Sequence, residues 1–331
     1  MKILVDALVP FSWAHGGVTV HLNSIVDAIR KEGREVDFLR WWDERQTGDV
    51  LLTWYSPTSK ISFAKEKNIK IVSYIYLDSL TSKTTPQLYF RKLLISVFRK
   101  LFPSFARDLG FCINQLCDAF IFPTAYDASV GELLFQTNRK SSHVIMHGVN
   151  DAYMNRTERA RGDYLISTGT IHKRKNTLLL AEAARAANIP IVFIGKPYSE
   201  DQYFQRFLSL VDGTIVQYKG YVTEEEKIDL LQRARGFASL SLSESGCIAV
   251  LEALALKTPV FLPDLGWARG AYENYASFGN VKNKRKLIQQ IKVFYESRHG
   301  DPHYPVRSWP EVAREYLRVL DSVCEQGAAG A

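Results

Sequence analysis

Short apolar runs that do not alternate with polar residues, each followed by a stretch of helical periodicity, recur along this 331-residue chain in two successive sets. The first set is Lys2–Val9, Asp49–Tyr55, Lys70–Leu77, Asp118–Thr124 and Ser142–His147, rich in Ile, Val and Phe. A strand with one wet face alternates. Strands that do not alternate are covered on both faces, which requires a parallel sheet with helices above and below it. The second set is Asp163–Gly169, Ile189–Gly195, Thr214–Tyr221, Gly236–Leu242 and Thr258–Asp264, separated by helical stretches such as Asn176–Ala187 and Glu224–Arg235. The polar segment Asn150–Arg161 breaks the apolar rhythm and reads as a linker. The expected class is α/β, two Rossmann-like domains, residues 1–150 and 151–305, with ligands held in the cleft facing the carboxyl ends of the strands.

Length and composition agree with two domains. A chain of 331 residues exceeds the usual span of one, and 46% hydrophobic content is ample for two cores. No apolar run approaches membrane-spanning length, and the opening MKILVDALVPF reads as a buried first strand rather than a leader, so a cytoplasmic protein is expected. Cys112, Cys117, Cys247 and Cys324 show neither a disulfide framework nor paired spacing with histidines. The net charge of +7 calls for an anionic partner, and without any nucleic-acid module nucleic acid is set aside.

The stretch SLSESGCIAVLEALALKTPV, Ser241–Val260, carries the chemistry. A strand runs into a polar loop holding Glu244, Gly246-Cys247 opens an apolar helix carrying Glu252 two turns in, and Pro259 stops that helix. Carboxylates in such places grip hydroxyls. The first N–H groups of the helix, at Cys247 and Ile248, suit an anion. Read without that context, Glu244 and Glu252 are two solvated glutamates flanking a helix start. Upstream, Gly16-Gly17 lies between the first strand and the helix Thr19–Arg30, where two glycines let a backbone approach a ligand or simply turn. The segment from Ile166 to Asn176 is a strand, then a basic loop with Lys173, Arg174 and Lys175, then a helix; those cations can neutralise a leaving group, or lie solvated.

The spacing of Glu244 and Glu252 in this setting resembles the E-x7-E motif of retaining glycosyltransferases of family 4, which have the GT-B fold with two Rossmann-like domains facing a central cleft. Further matches are Gly16-Gly17, His147-Gly148-Val149-Asn150, Lys175, the turn Gly220-Tyr221-Val222, and the closing segment from Arg307-Ser308-Trp309, so the resemblance spans nearly the whole chain. It implies that Glu244 contacts the donor sugar, Glu252 the ribose, Lys175 the diphosphate, and the backbone of Tyr221 and Val222 the base. It also implies that Gly16-Gly17 approaches the donor diphosphate and acceptor, and that a C-terminal helix over 306–325 braces the N-terminal domain. The implied donor is a UDP- or GDP-linked sugar, with no separate cofactor. No Asp-x-Asp occurs in the chain, and no essential metal is expected.

The chain departs from the family pattern in three places. Thr170 stands where the family has an Arg: either Lys173 or Arg174 substitutes for it, or phosphate stabilisation is weakened. Gly246-Cys247 replaces Phe-Gly, and the usual sugar-contacting His is not evident; near its place lies Asp78, which either takes over that contact or is a plain loop aspartate. The expected reaction is sugar transfer to a hydroxyl with retention, the acceptor being a glycan or a lipid-linked molecule. The alternatives are a non-catalytic nucleotide-sugar-binding subunit and a hydrolysing sugar-nucleotide epimerase of the same fold. Residues 85–110 interleave Arg91, Lys92, Arg99, Lys100 and Arg107 with Leu, Phe and Tyr. Such a stretch either lies on an anionic membrane surface, making the protein peripheral at the inner face, or packs Leu93, Leu94, Val97 and Leu101 onto the sheet.

Overall fold

The computed structural model describes residues 1–7, 16–54, 58–155 and 159–328. The expected strand ends Leu8–Val9 and Tyr55 lie outside these residues. The chain divides into two compact units, one formed by residues 1–148 with the C-terminal segment from Trp309, the other by Val149–Ser308.

The first unit holds strands β1 (Lys2–Ala7), β2 (Glu35–Phe38), β3 (Val50–Trp54), β4 (Lys70–Tyr74), β5 (Ala119–Phe122) and β6 (Ser142–Val144). They form one sheet in the order β2-β1-β3-β4-β5-β6, with every pairing parallel. All residues of β3 and β5 are buried, as unalternating strands require. Its helices are α1 (Gly17–Lys31), α2 (Thr58–Glu66), α3 (Thr85–Leu101), α4 (Pro103–Asp108) and α5 (Ala125–Phe135). In α1 the buried residues His21, Leu22, Ile25, Val26 and Ile29 recur at helical spacing and make one inward stripe.

The second unit holds β7 (Leu165–Thr168), β8 (Ile191–Ile194), β9 (Val216–Tyr218), β10 (Gly236–Ala238), β11 (Val260–Pro263) and β12 (Ala276–Gly279), parallel in the order β12-β11-β10-β7-β8-β9. Its helices are α6 (Asp151–Met154), α7 (Thr177–Ala187), α8 (Gln202–Leu208), α9 (Glu224–Arg233), α10 (Ile248–Ala255), α11 (Gly266–Tyr272) and α12 (Lys284–Glu296). Helix α9 starts well: the Thr223 side chain accepts from Glu226 N–H, and Glu224, Glu225 and Glu226 place negative charge at the positive end of the helix dipole. The last helix, α13 (Trp309–Ala328), returns to the first unit and packs against α1.

Two strands, β2 and β12, were not legible as apolar runs. Both are edge strands with half-covered residues, so neither needs a continuous hydrophobic sequence. The polar segment expected as a linker begins with a helical turn, α6, capped by Asn150, whose side chain accepts from Ala152 N–H. That turn buries Tyr153 completely. In α3 the residues that could have packed on the sheet do not: Leu93, Leu94, Val97 and Leu101 are exposed, while Leu88 is buried and Ile95 packs against the core. Among the described residues no helix is long and apolar enough to cross a membrane.

Candidate functional site

Glycine makes the strand ends of the second unit close-packed. Gly169, following β7, and Gly195, following β8, have φ of +136° and +139°, and a Cβ on Gly195 would sit 2.1 Å from the Gly169 carbonyl oxygen. Gly169 N–H donates to Ile194 O at 2.9 Å and Gly195 N–H to Gly220 O at 2.7 Å, so the loops leaving β7, β8 and β9 are stacked backbone on backbone. The first of these loops runs on through Thr170 to Lys175, and the Lys175 side chain passes over Gly169, whose Cβ would lie 3.7 Å from Lys175 Cε.

The loop after β10 meets it. Leu242 N–H donates to Arg174 O at 2.7 Å, which joins the basic loop to the segment bearing Glu244. Lys175 Nζ then lies 2.5 Å from Glu244 Oε1, and Arg174 Nη1 lies 3.3 Å from Glu244 Oε2 while donating to Ser243 O at 2.6 Å. One buried carboxylate is therefore gripped on each oxygen by a different cation. Burial would push the Glu244 carboxyl up, but Lys175 and Arg174 outweigh it and hold it below the ordinary carboxylate range. Against the same penalty of burial, Glu244 holds the Lys175 ammonium above its ordinary value. The pair is ionised throughout the neutral range.

Helix α10 begins beside this pair. Gly246 and Cys247 both have positive φ, +83° and +30°, a sharp turn that glycine accepts and cysteine adopts only under strain. The turn is braced from α11, where Trp267 Nε1 donates to Ser241 O at 3.1 Å and Tyr272 O–H to Gly246 O at 2.7 Å. Burial, with Glu244 nearby, pushes the Cys247 thiol up to about 12, so it remains a protonated thiol at neutral pH. Ile248 is the first residue of the helix.

About one turn into α10, Glu252 heads a second cluster. Lys227 Nζ lies 3.2 Å from Glu252 Oε1 and 3.1 Å from Glu224 Oε2, and Lys227 stands 5.2 Å from the centre of the Tyr153 ring. The Tyr153 hydroxyl donates to Glu224 Oε1. Burial, then the neighbouring Glu224 charge, outweigh Lys227 and keep the Glu252 carboxyl above its ordinary range. Lys227 is raised despite burial because Glu252 and Glu224 face it. Lys227, Glu224 and Tyr153 were not singled out by the sequence. Glu224 and Lys227 are an i,i+3 pair on α9, but Glu252 lies 25 residues from Lys227 and Tyr153 lies 71 from Glu224, and no local pattern announces those two contacts.

The second unit thus brings together Arg174, Lys175, Glu244, Gly246, Cys247 and Ile248, with Glu252 farther along the same helix. Lys173 is exposed, and Thr170 lies in the loop after β7 without reaching the Glu244 pair through any contact described. Tyr221 and Val222 follow β9; Tyr221 is 74% exposed, with Lys196 Nζ 4.9 Å from its ring centre. Gly16, Gly17 and Asp78 belong to the first unit. Gly16 precedes α1 with φ +156° and ψ −173°, a conformation essentially reserved to glycine, and Asp78 opens a 3₁₀ turn after β4 with φ +38°. His15, next to Gly16, lies outside the described residues.

The first unit also contains an aromatic box that the sequence did not suggest. His21 is fully buried; its Nδ1 is 2.5 Å from the Tyr76 hydroxyl and its Nε2 is 3.1 Å from the Tyr316 hydroxyl on α13. Its ring stacks on Trp309 and lies 4.4 Å from the ring of His147. Burial first, and the charge of His147 second, hold the His21 imidazole well below its ordinary pKa.

Residues 152–304 match the family described as Glycosyl transferases group 1. No curated protein matches the chain in sequence. Among solved structures, a glycosyltransferase from Rickettsia africae ESF-5 is 14% identical, with a TM-score of 0.67 over 97% of this chain and 98% of that one. AviGT4, a glycosyltransferase involved in avilamycin A biosynthesis, is 16% identical, with a TM-score of 0.66 over 100% and 98%. HepE of Anabaena, solved in complex with UDP and glucose, is 12% identical, with a TM-score of 0.61 over 100% and 99%. The two parallel six-stranded sheets with alternating helices are those of the GT-B fold.

Proposed function

We propose that the chain is a retaining glycosyltransferase of the family 4 type, moving a sugar from a UDP- or GDP-linked donor to a hydroxyl of a glycan or lipid-linked acceptor. The observation that carries this reading is the Glu244 carboxylate held between Lys175 and Arg174 at the start of α10. Two cations converging on one anion beside a helix N-terminus are the kind of groups that bind a diphosphate, which supports a donor site here. The match of residues 152–304 to group 1 glycosyl transferases supports a donor site in this unit.

On donor binding, the diphosphate takes over Lys175 and Arg174, with Lys173 and Thr170 at the loop edge, and Glu244 turns to the sugar hydroxyls. Arg174 supplies the cation that Thr170 does not. Glu252, held by Lys227, accepts from the ribose hydroxyls, and the backbone of Tyr221 and Val222 meets the base. Gly246, Cys247 and Ile248 present backbone at the phosphates. For the first unit, the family resemblance assigns Gly16-Gly17 to close approach of backbone to acceptor and diphosphate, and Asp78 stands nearest the place of the family's sugar-contacting His. The departing phosphate takes the acceptor proton on the face it leaves, so retention needs no nucleophilic side chain; positioning and charge neutralisation by Lys175 and Arg174 supply the acceleration.

A screen of nucleoside diphosphates for thermal stabilisation, followed by turnover with the matching sugar donors and assignment of the product anomer, tests this reading. Lys175→Ala and Glu244→Ala are each expected to abolish transfer. Unimpaired transfer by either variant refutes the site, and an inverted product refutes retention. Thr170 in place of an Arg favours, as a second reading, a subunit that binds the nucleotide sugar without turning it over; tight donor binding with no product for any acceptor would establish that one.

A further inference from the structure

The outer side of α3 and α4 is apolar and uncovered. Phe90, Leu93, Leu94, Val97 and Leu101, at helical spacings of three and four, are between 47% and 62% exposed, and α4 continues the patch with Phe105, 57% exposed. This face is fixed outward by its opposite side. Leu88 is buried, Ile95 packs against the core, and Arg99 donates to Phe111 O at 2.8 Å through Nε. Scattered single apolar residues on a surface mean little, whereas a continuous stripe of this kind marks a site where something docks.

The charges choose the occupant. Between residues 83 and 110 the chain carries Lys83, Arg91, Lys92, Arg99, Lys100 and Arg107 against a single acid, Asp108. At 100° per residue, Arg91 and Lys100 fall on the two borders of the stripe. A second copy of the same face would set these cations against one another. A bilayer offers what the face lacks: acyl chains for the stripe and phosphates for its borders. Where the stripe begins there is a cavity of about 470 Å³ lined by the cations Lys83 and Arg91 together with Pro86, Gln87, Phe90 and Leu94. That pairing suits a lipid headgroup phosphate with its chain running along the helix.

We propose that α3 and α4 form a docking face for an anionic bilayer, lying flat at its surface, with the notch between Lys83 and Arg91 seating a lipid phosphate. This holds whether or not the chain transfers sugar, because the helices belong to the first unit and the donor cluster to the second.

The test is co-sedimentation of the full chain with vesicles of phosphatidylcholine alone and of phosphatidylcholine mixed with phosphatidylglycerol, in the absence of any nucleotide sugar. Mixed vesicles are expected to bind at least roughly tenfold more tightly, with the advantage lost in high salt. Leu94→Glu combined with Val97→Glu, both at exposed positions, is expected to abolish binding at an unchanged melting temperature. Arg91→Glu with Lys83→Glu is expected to remove the preference for phosphatidylglycerol. Equal binding to both vesicle types, or wild-type binding by the Leu94/Val97 variant, overturns the proposal. So does a wild-type dimer in sedimentation velocity that this variant dissociates, if vesicles remain unbound.

Discussion

Replacing Glu244 by Ala removes the anion that two cations share, and the structure sets the size of the consequence. Lys175 retains only 18% side-chain exposure, so its ammonium cannot simply turn into water. Breaking a buried pair from one side costs about 3–5 kcal/mol. Arg174 is better placed: at 42% exposure it can re-solvate, and it still donates to Ser243 O. The lower end, about 3 kcal/mol, is therefore expected for Glu244→Ala. Lys175→Met in the same background removes the orphaned charge, and the double variant should recover more than half of that loss. Urea unfolding, read at constant m-value, measures all corners of the cycle. A diphosphate should restore stability to Glu244→Ala more strongly than to the wild type, since it meets two cations that have lost their carboxylate partner. If Glu244→Ala costs less than about 1 kcal/mol, the magnitude of an exposed pair, or if the two substitutions simply add, the buried-pair account is wrong.

Acid should loosen the first unit. The folded pKa of His21 lies below its unfolded value, so the unfolded chain binds more protons; the stabilisation is complete above about pH 6.5 and is lost as pH falls, by about 1.4 kcal/mol per pH unit. His21→Gln should remove about one proton from that slope in urea midpoints measured from pH 7.5 to 5.5, and an unchanged slope would exclude His21 as its source. Gly195→Ala should cost at least about 2 kcal/mol in the same assay, since it adds strain at φ +139° to a collision with the Gly169 carbonyl; a wild-type midpoint would rule out the stacked loops. Lys227→Met leaves Glu252 beside Glu224 without its cation, so donor KM should rise about tenfold and become steeper with pH as the Glu252 carboxyl moves further up, while kcat changes little. A pH-independent KM would show that Lys227 does not govern Glu252.

The interior strands were legible because burial on both faces forces a composition. Ile191–Ile194 and Val260–Pro263 are apolar at every residue, and the sheet that holds them buries every one. β2 and β12 escaped notice because an edge strand with one covered side can include Glu35, Asp37 or Ser277 at no cost. Around Glu244 the sequence singled out Lys173, Arg174, Lys175 and Glu244 separately, and gave no sign that two of these cations pair with the carboxylate. Lys173 and Arg174 are neighbours in a basic loop, and it is the Arg174 guanidinium that lies 3.3 Å from Glu244 Oε2. Periodicity gave α3 its stripe but not the direction the stripe faces, since the spacing is the same for a face on the sheet and a face in solvent. The contacts of His21 with Tyr316 and of Lys227 with Glu252 could not be seen in the sequence, because those side chains meet only when distant segments close on one another.

The return of α13 to the first unit means that the half of the protein made first is finished last. His21 has its Nε2 partner on Tyr316, 295 residues downstream, and its stacking partner on Trp309. While the chain emerges from the ribosome, residues 149–308 form an uninterrupted segment that can close on itself, but the earlier unit must wait with its aromatic box open. A stop codon shortly before Trp309 would thus harm the amino-terminal half most, even though every residue of its sheet had already been made.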